Sequence, residues 1–234
     1  MYMEQKIQRW QRMIKHSVDE IIDVNLRKYV FSRQKQIVLS NPKLQDQNVF
    51  IEYFFRNYAE AQVLAISRLV EDKPVDSLVA LLNDMLIFYE DAVQSGELRD
   101  LLVNEMSRTA SDDFIKGHFQ KQIEDRINTF SWEKINSDKF DLLKATAKIK
   151  LLRDKWVAHR DIKRKQIALQ YDEIDQAIKF IEEKIDEYYI FLTDAKMASF
   201  LPIGIESDDK IFNFAWKAPS AADPDTSANS SENG

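Results

Sequence analysis

The sequence predicts an all-α protein, a helical bundle built from long antiparallel helices. Glycine and proline are scarce, with four and five residues in a chain of 234, so few tight turns interrupt the chain. Apolar residues recur every three or four positions almost throughout, and the alternation typical of β-strands is missing. An apolar content of 44% supplies enough side chains for the core of one domain.

The first two helices are predicted in the N-terminal third of the chain. The first runs from about residue 3 to the mid-30s, and Asn41–Pro42 is a break after it. Its apolar stripe contains Ile7, Trp10, Ile14, Val18, Ile21 and Ile22. The second helix, over about 48–71, is apolar around much of its girth and is therefore predicted to be central to the bundle. Lys73–Pro74 ends it.

The middle of the chain predicts four further elements. Asp76 or Ser77 is a candidate N-cap for a third helix, and two shorter helices follow over about 97–108 and 112–130. Ser137 or Asp138 is the candidate cap of the next helix. The predicted core residues of the third helix and of this later helix are Leu78, Leu82, Met85, Leu86 and Tyr89, then Phe140, Leu143, Ala147 and Leu151.

The last long helix is predicted to start near Asp172. Its seam follows 4-3-4-3-4 spacing, which suits a bundle partner or a second copy of the chain. The seam residues are Ile174, Ile178, Ile181, Ile185, Tyr188 and Leu192. We therefore divide the chain into a helical domain over 1–195 and an extension over 196–216 that packs on it. The small, polar residues 217–234 predict a disordered tail.

Several classes of protein are disfavoured by what the sequence lacks. There is no cysteine, hence no disulfide and no thiolate site. The three histidines, His16, His118 and His159, are scattered, so neither a metal site nor a cofactor is predicted. No run of eighteen apolar residues and no signal-peptide core occurs, which predicts a cytoplasmic protein without a membrane partner.

Positive charge is concentrated in residues 144–165. This basic segment holds nine Lys or Arg and two Asp, or +7, whereas the whole chain carries −6, so the remainder carries −13. A basic segment on an acidic body is typical of a local contact with nucleic acid. Its candidate RNA-binding residues are Lys155, Arg160, Lys163, Arg164 and Lys165.

Two Arg/His pairs are candidates for chemistry. Arg9 and His16 lie within a steady helical stripe, which favours a structural role. Arg153 is followed by the polar Asp154 and lies with His159 in the basic segment, at a junction between helices where side chains are exposed. The residues alone leave two interpretations open. Arg153 forms an ion pair with a nearby acid while His159 ends a helix, or the two are a catalytic pair.

The stretch "LLRDKWVAHRD" over 151–161 resembles the signature of the HEPN superfamily: Arg, a polar residue, a short spacer and His. Together with "AISRLVED" over 65–72 it resembles the abortive-infection branch. The resemblance covers about residues 5–195, and Asp154 replaces the commoner Asn. It implies a dimeric helical bundle acting as a metal-independent ribonuclease in toxin or antiviral systems, with a cognate antitoxin as a further partner. Arg153 and His159 would be catalytic, and Asp154 would orient them.

The implied chemistry fits these side chains. RNA supplies its own 2′-hydroxyl nucleophile, histidine transfers protons near neutral pH, and arginine binds phosphate oxygens. Cleavage would leave a 2′,3′-cyclic phosphate and a 5′-hydroxyl. In a straight helix, residues six apart lie about 9 Å along the axis and about 120° around it, so the pair predicts either a broken helix or a two-fold dimer. Arg68 either lines the same cleft or pairs with Asp72. The alternative function is a non-catalytic helical module that binds RNA or protein.

Overall fold

The computed structural model describes residues 2–41, 48–72, 76–107, 113–154 and 170–202. Within these ranges the chain forms seven helices and no strand, which confirms the all-α fold class. The helices are α1 (Tyr2–Ser40), α2 (Asn48–Leu69), α3 (Leu78–Gln94), α4 (Glu97–Ser107), α5 (Asp113–Thr129), α6 (Trp132–Leu152) and α7 (Tyr171–Thr193).

Long helices run antiparallel to one another. Near the start of α1, Gln11 Nε2 donates to the carbonyl oxygen of Leu192, at the end of α7, over 2.9 Å. Near the other end, Lys28 Nζ lies 3.0 Å from Asp175 Oδ1 at the start of α7. These two contacts fix α1 and α7 in opposite directions. The predicted antiparallel arrangement is therefore confirmed for this pair.

The same pattern relates α1 to α2. Gln62 Nε2 donates to the carbonyl oxygen of Val24 over 3.0 Å. Further along α1 but earlier in α2, the rings of Phe31 and Tyr58 are stacked with centroids 3.7 Å apart. Burial raises the pKa of the Tyr58 hydroxyl to about 12.

The core is centred on α1, which packs against α2, α3, α4 and α7. Its predicted stripe is buried as expected, except for Ile22, which is only partly buried. Trp10 is fully buried, and its Nε1 donates to Asp84 Oδ2 on α3 over 3.0 Å. A buried indole N–H needs such a partner.

The prediction that α2 is central was wrong for its first half. Val49 and Tyr53 are exposed, and most residues of the helix are buried only from Gln62 onward. The aromatic residues that made this half look apolar form a peripheral cluster with Phe31 and Tyr171 instead. Helix α1, not α2, is therefore the central element of the bundle.

The boundaries predicted between residues 76 and 130 are confirmed. Ser77 is the N-cap of α3, because its Oγ accepts a hydrogen bond from the Ala80 N–H over 3.1 Å. A short link, Ser95–Gly96, then joins α3 to α4. Gly96 has φ +77°, a conformation that favours glycine. Helices α4 and α5 lie within one residue of their predicted limits.

Both predictions for α6 were wrong. The helix begins at Trp132 and is capped by Ser131, whose Oγ accepts from the Lys134 N–H over 3.2 Å, so Ser137 and Asp138 lie inside it. The predicted core face lies largely in solvent, with Phe140 66% exposed. The true buried face contains Ile135, Asp138, Leu142, Thr146, Ile149 and Leu152. Because two of these six are polar, hydropathy favoured the opposite face.

Helix α7 confirms its predicted start and seam, and all six seam residues are buried. Its last residue is followed by Asp194, which has φ +55° and ends the helix. Beyond it, Met197 and Phe200 pack against the core. Residues 203–234, including the predicted tail, lie outside the described residues. In the part of the chain that the structure describes, no helix is long and apolar enough to cross a membrane.

Candidate functional site

Arg153 lies directly after the last residue of α6. Its backbone is still helical, with φ −53° and ψ −52°, and its N–H donates to the carbonyl oxygens of Ile149 and Lys150. Leu152, the preceding residue, is buried, so the helix end is anchored in the core. The arginine side chain therefore leaves a fixed backbone at the point where the chain enters the most basic part of the sequence.

Two carboxylates hold the Arg153 guanidinium. Nη1 lies 2.9 Å from Glu71 Oε1, and Asp154 Oδ1 lies 2.8 Å from Nε and 2.7 Å from Nη2. The side chain is 19% exposed. Burial lowers the pKa of Arg153, but the hydrogen bonds and charges of Asp154 and Glu71 outweigh it and raise the pKa above its ordinary value. The guanidinium is therefore permanently charged and held in a fixed orientation.

Glu71 belongs to a small network at the junction of α2 and α3. It lies two residues after the end of α2, and its carbonyl oxygen accepts a hydrogen bond from the hydroxyl of Ser77, the cap of α3. The adjacent Asp72 accepts from the Asn83 side chain on α3. These two hydrogen bonds attach Glu71 and Asp72 to α3, and they therefore fix the position of the carboxylate that contacts Arg153. Sequence reasoning did not single out Glu71, since the contact spans 82 residues.

The Arg153–Glu71 contact joins the two segments that carry the family resemblance. "AISRLVED" contains Glu71 and "LLRDKWVAHRD" contains Arg153. Asp154 contacts Arg153 as expected of an orienting residue, yet the same contact is expected of a simple ion pair. Both interpretations of Arg153 therefore remain open on these contacts.

Arg68 does not form the ion pair with Asp72 that was one of its two alternatives, while the other, a position in the RNA cleft, stays a prediction. Its Nη2 lies 3.0 Å from Glu20 Oε2 on α1, and its Nε lies 3.3 Å from the same oxygen. The side chain is half exposed. The observed contact is an ion pair between α1 and α2.

In the other Arg/His pair, Arg9 is part of a structural network. Arg9 Nη1 lies 3.8 Å from Asp84 Oδ1, and Lys6 Nζ lies 3.2 Å from the same oxygen. Asp84 also accepts from the buried Trp10. These contacts support the structural role expected of Arg9. His16 is partly buried on the same helix.

Half of the predicted basic segment, residues 155–165, lies outside the described residues. This applies to the catalytic candidate His159 and to the RNA-binding candidates Lys155, Arg160, Lys163, Arg164 and Lys165. The expectation that Arg153 and His159 meet in one cleft stays a prediction. Among the described residues, no group of three or more His, Cys, Asp or Glu is arranged to hold a metal ion.

A second charged cluster lies within α6 and was missed from sequence. Asp138 accepts three hydrogen bonds: from Lys134 Nζ over 2.8 Å, from Lys184 Nζ over 2.6 Å and from the Tyr188 hydroxyl over 3.0 Å. Glu187 contacts both lysines, at 2.6 and 3.1 Å. The only signal was the position of Asp138 in helical register with Ile135 and Leu142.

The Asp138 cluster is closed. The side chain is 8% exposed. Burial raises its pKa, but the hydrogen bonds and charges of Lys184 and Lys134 outweigh it, and the pKa lies below its ordinary value. For Tyr188, burial and the adjacent Asp138 charge both raise the hydroxyl pKa. With every charged group paired, the cluster joins α6 to α7 and offers no position for a ligand.

The fold and the site define an all-α bundle with a carboxylate-held arginine at the end of α6. No family model matches the chain, and neither a curated protein nor a solved structure matches it. The resemblance to the HEPN superfamily therefore rests on the two sequence segments and on the agreement in fold class.

Proposed function

We propose that the protein is a metal-independent endoribonuclease of the HEPN type, active as a homodimer. The observation that carries the proposal is the Glu71–Arg153–Asp154 contact. It joins the two segments of the resemblance at the end of α6, within the basic segment over 144–165. Arginine held by two carboxylates is a preorganised cation, and preorganised charge is what stabilises a developing phosphorane.

Arg153 keeps donors for a phosphate in this arrangement. A guanidinium has five N–H groups, and among the described residues the contacts with Glu71 and Asp154 engage three of them, one on each nitrogen. The remaining two lie on Nη1 and Nη2, the pair that forms a bidentate contact with phosphate oxygens. In this role Glu71 and Asp154 orient the guanidinium, and the RNA phosphate binds its outer edge.

His159 is proposed to transfer the protons. As a base it takes the proton of the 2′-hydroxyl, whose oxygen then attacks phosphorus; as an acid it returns a proton to the leaving 5′-oxygen. Two histidines, one from each copy, supply both roles at one cleft. The products are a 2′,3′-cyclic phosphate and a 5′-hydroxyl. Lys155, Arg160, Lys163, Arg164 and Lys165 are proposed to bind the RNA backbone.

The biological setting follows from the resemblance alone. It assigns this activity to toxin or antiviral defence systems in the cytoplasm, with a cognate antitoxin as a further partner. These proposals do not depend on the geometry of Arg153. Each of them requires that the protein cleaves RNA.

One observation favours the alternative, a non-catalytic helical module that binds RNA or protein. Arg153 is satisfied by two carboxylates and mostly buried, as expected of a structural ion pair. The module would bind through the basic segment over 144–165. It predicts RNA binding that weakens with salt, without any cleavage.

The test compares two histidine variants of the full-length protein with RNA in the presence of EDTA. We expect the wild type to cleave, because the 2′-hydroxyl reaction needs no metal. His159→Ala should abolish cleavage and leave RNA affinity nearly unchanged, because a neutral imidazole contributes little to phosphate attraction.

His16→Ala is the matched control and should cleave at the wild-type rate. Loss of activity in His16→Ala but not in His159→Ala would assign the chemistry to the other pair. An absolute requirement for Mg²⁺ would reject the mechanism. RNA binding without cleavage by any of the proteins would favour the non-catalytic module.

A further inference from the structure

The solvent face of α6 carries an apolar stripe of which only Leu143 contacts the core described for the fold. Trp132 is 43% exposed, Phe140 66% and Leu151 43%, while Leu143 is partly buried and Ala147 exposed. With Asn136 these residues follow 4-4-3-4-4 spacing over about 28 Å of helix. The opposite face of α6 is already packed against α2, α3 and α7. A continuous exposed stripe of this kind marks an interaction surface.

The stripe is also concave at its N-terminal half. Trp132, Asn136, Phe140 and Leu143 line an open groove there, together with Lys139. We propose that residues 203–216, the segment that follows the described chain, bind along this stripe. This inference is independent of the proposed ribonuclease activity, because it concerns which part of the molecule covers α6.

The exit of the chain from α7 favours this segment. Phe130, two residues before α6, stacks on Phe191 near the end of α7 with centroids 4.0 Å apart. Asp194, just after α7, lies 2.5 Å from Arg126 of α5. The chain therefore leaves α7 beside the start of α6, and residues 195–202 lead from there to the segment. Fourteen residues reach about 45 Å when extended and about 21 Å as a helix, so either form covers much of the stripe.

The composition of the segment is complementary to the stripe. Residues 203–216 supply the apolar side chains of Ile203, Ile205, Ile211, Phe212, Phe214 and Trp216. They also carry three acidic residues and one lysine, or −2. On α6 the stripe is flanked by Lys139, Lys144 and Lys150 and by Glu133. If a second copy bound through the same face, the lysines of the two copies would lie close together and repel one another. The acidic segment would instead form favourable charge pairs with these lysines.

The absence of native cysteine allows a direct crosslinking test on the full-length chain. Asn136→Cys lies on the stripe; it is combined in turn with Ser207→Cys and with Asn213→Cys in the segment. Asp141→Cys is the matched control, because it is exposed on the same helix but about 140° around from Asn136. A short bismaleimide and a mixture of ¹⁵N-labelled and unlabelled chains separate products within one chain from products between chains.

We expect at least one Asn136 pair to crosslink within the chain about tenfold faster than its Asp141 counterpart, because binding raises the effective concentration. Adding Phe212→Ser and Phe214→Ser should bring that rate down to the control value. Equal rates for Asn136 and Asp141 would overturn the proposal, as would a fast rate that survives the two serines. Products mainly between chains would also overturn it and assign the stripe to a second copy.

Discussion

Two charged clusters lie on or directly after helix α6, and their central groups have opposite charges. In the second turn of this helix, Asp138 is a single carboxylate surrounded by two lysines and a tyrosine, and its side chain is 8% exposed. After its last residue, Arg153 is a single cation between two carboxylates and is 19% exposed. Among the described residues, Asp138 accepts three hydrogen bonds through both of its oxygens, whereas the contacts of Arg153 engage three of its five N–H donors.

We propose that this difference separates a structural role for Asp138 from a functional role for Arg153. A buried charge whose partners are all present holds its helices together. Removing one partner leaves the other charged groups buried without a counter-charge, which is destabilising. A charge that is oriented by neighbours but open on one side can bind a ligand without rebuilding the fold. The greater exposure of Arg153 and of its two carboxylate partners to water distinguishes the second cluster from the first.

Breaking the closed cluster should have the largest effect on stability. Asp138→Ala leaves Lys134, Lys184 and the Tyr188 hydroxyl without their central acceptor, although Glu187 still contacts both lysines. We expect the free energy of unfolding to fall by about 3 kcal/mol in a denaturant titration. Asp141→Ala, at an exposed position of the same helix, should change it by less than about 0.5 kcal/mol. Equal effects of the two substitutions would mean that the cluster does not hold α6 to α7.

A smaller effect should follow from protonating Asp138 rather than removing it. Its pKa is lowered in the folded state, so its contribution is complete above the ordinary aspartate pKa of about 3.9. The contribution is lost as the pH falls further, through the folded-state pKa. We expect the free energy of unfolding to drop less steeply below about pH 4 in Asp138→Asn than in the wild type. Parallel pH profiles for the two proteins would contradict the lowered pKa.

The smallest effect should come from an exposed ion pair of the same helix bundle. Arg68 pairs with Glu20 between α1 and α2 with half of its side chain in solvent. We expect Arg68→Ala to cost about 0.5 kcal/mol or less and to leave RNA cleavage unchanged. Lys28→Ala, which removes the similarly exposed pair with Asp175, is the control for stability. A selective loss of cleavage in Arg68→Ala would place this residue in the RNA site.

The sequence predicted those helices whose buried face is uniformly apolar. In α1 and α7 the 3-4 spacing identified the core residues, and Ser77 identified the start of α3. It failed at α6, because Asp138 and Thr146 lie on the buried face while Phe140 and Leu151 lie in solvent. The spacing of apolar residues shows which face of a helix is apolar, not which face is buried against other helices. In α6 the most apolar face and the buried face are different.

The candidate site was predictable only in part, for a related reason. Arg153 and Asp154 stood out because they are adjacent and lie in a basic segment. Glu71, which orients Arg153, is brought there by the packing of α2, α3 and α6, and no local pattern relates positions so distant in sequence. Asp138 was assigned as a cap for the same reason: its partners Lys184 and Tyr188 are on another helix.

The central claim is that Arg153 serves the chemistry while Asp138 serves the fold, and one substitution tests it most directly. Arg153→Ala should lower the rate of RNA cleavage at saturating RNA by about 100-fold or more, since a preorganised charge on the transition state is lost. The same preparation should lose only about 1 kcal/mol of unfolding free energy, because Glu71 and Asp154 are partly exposed to water. Cleavage at the wild-type rate, or a loss of stability as large as that of Asp138→Ala, would contradict this account.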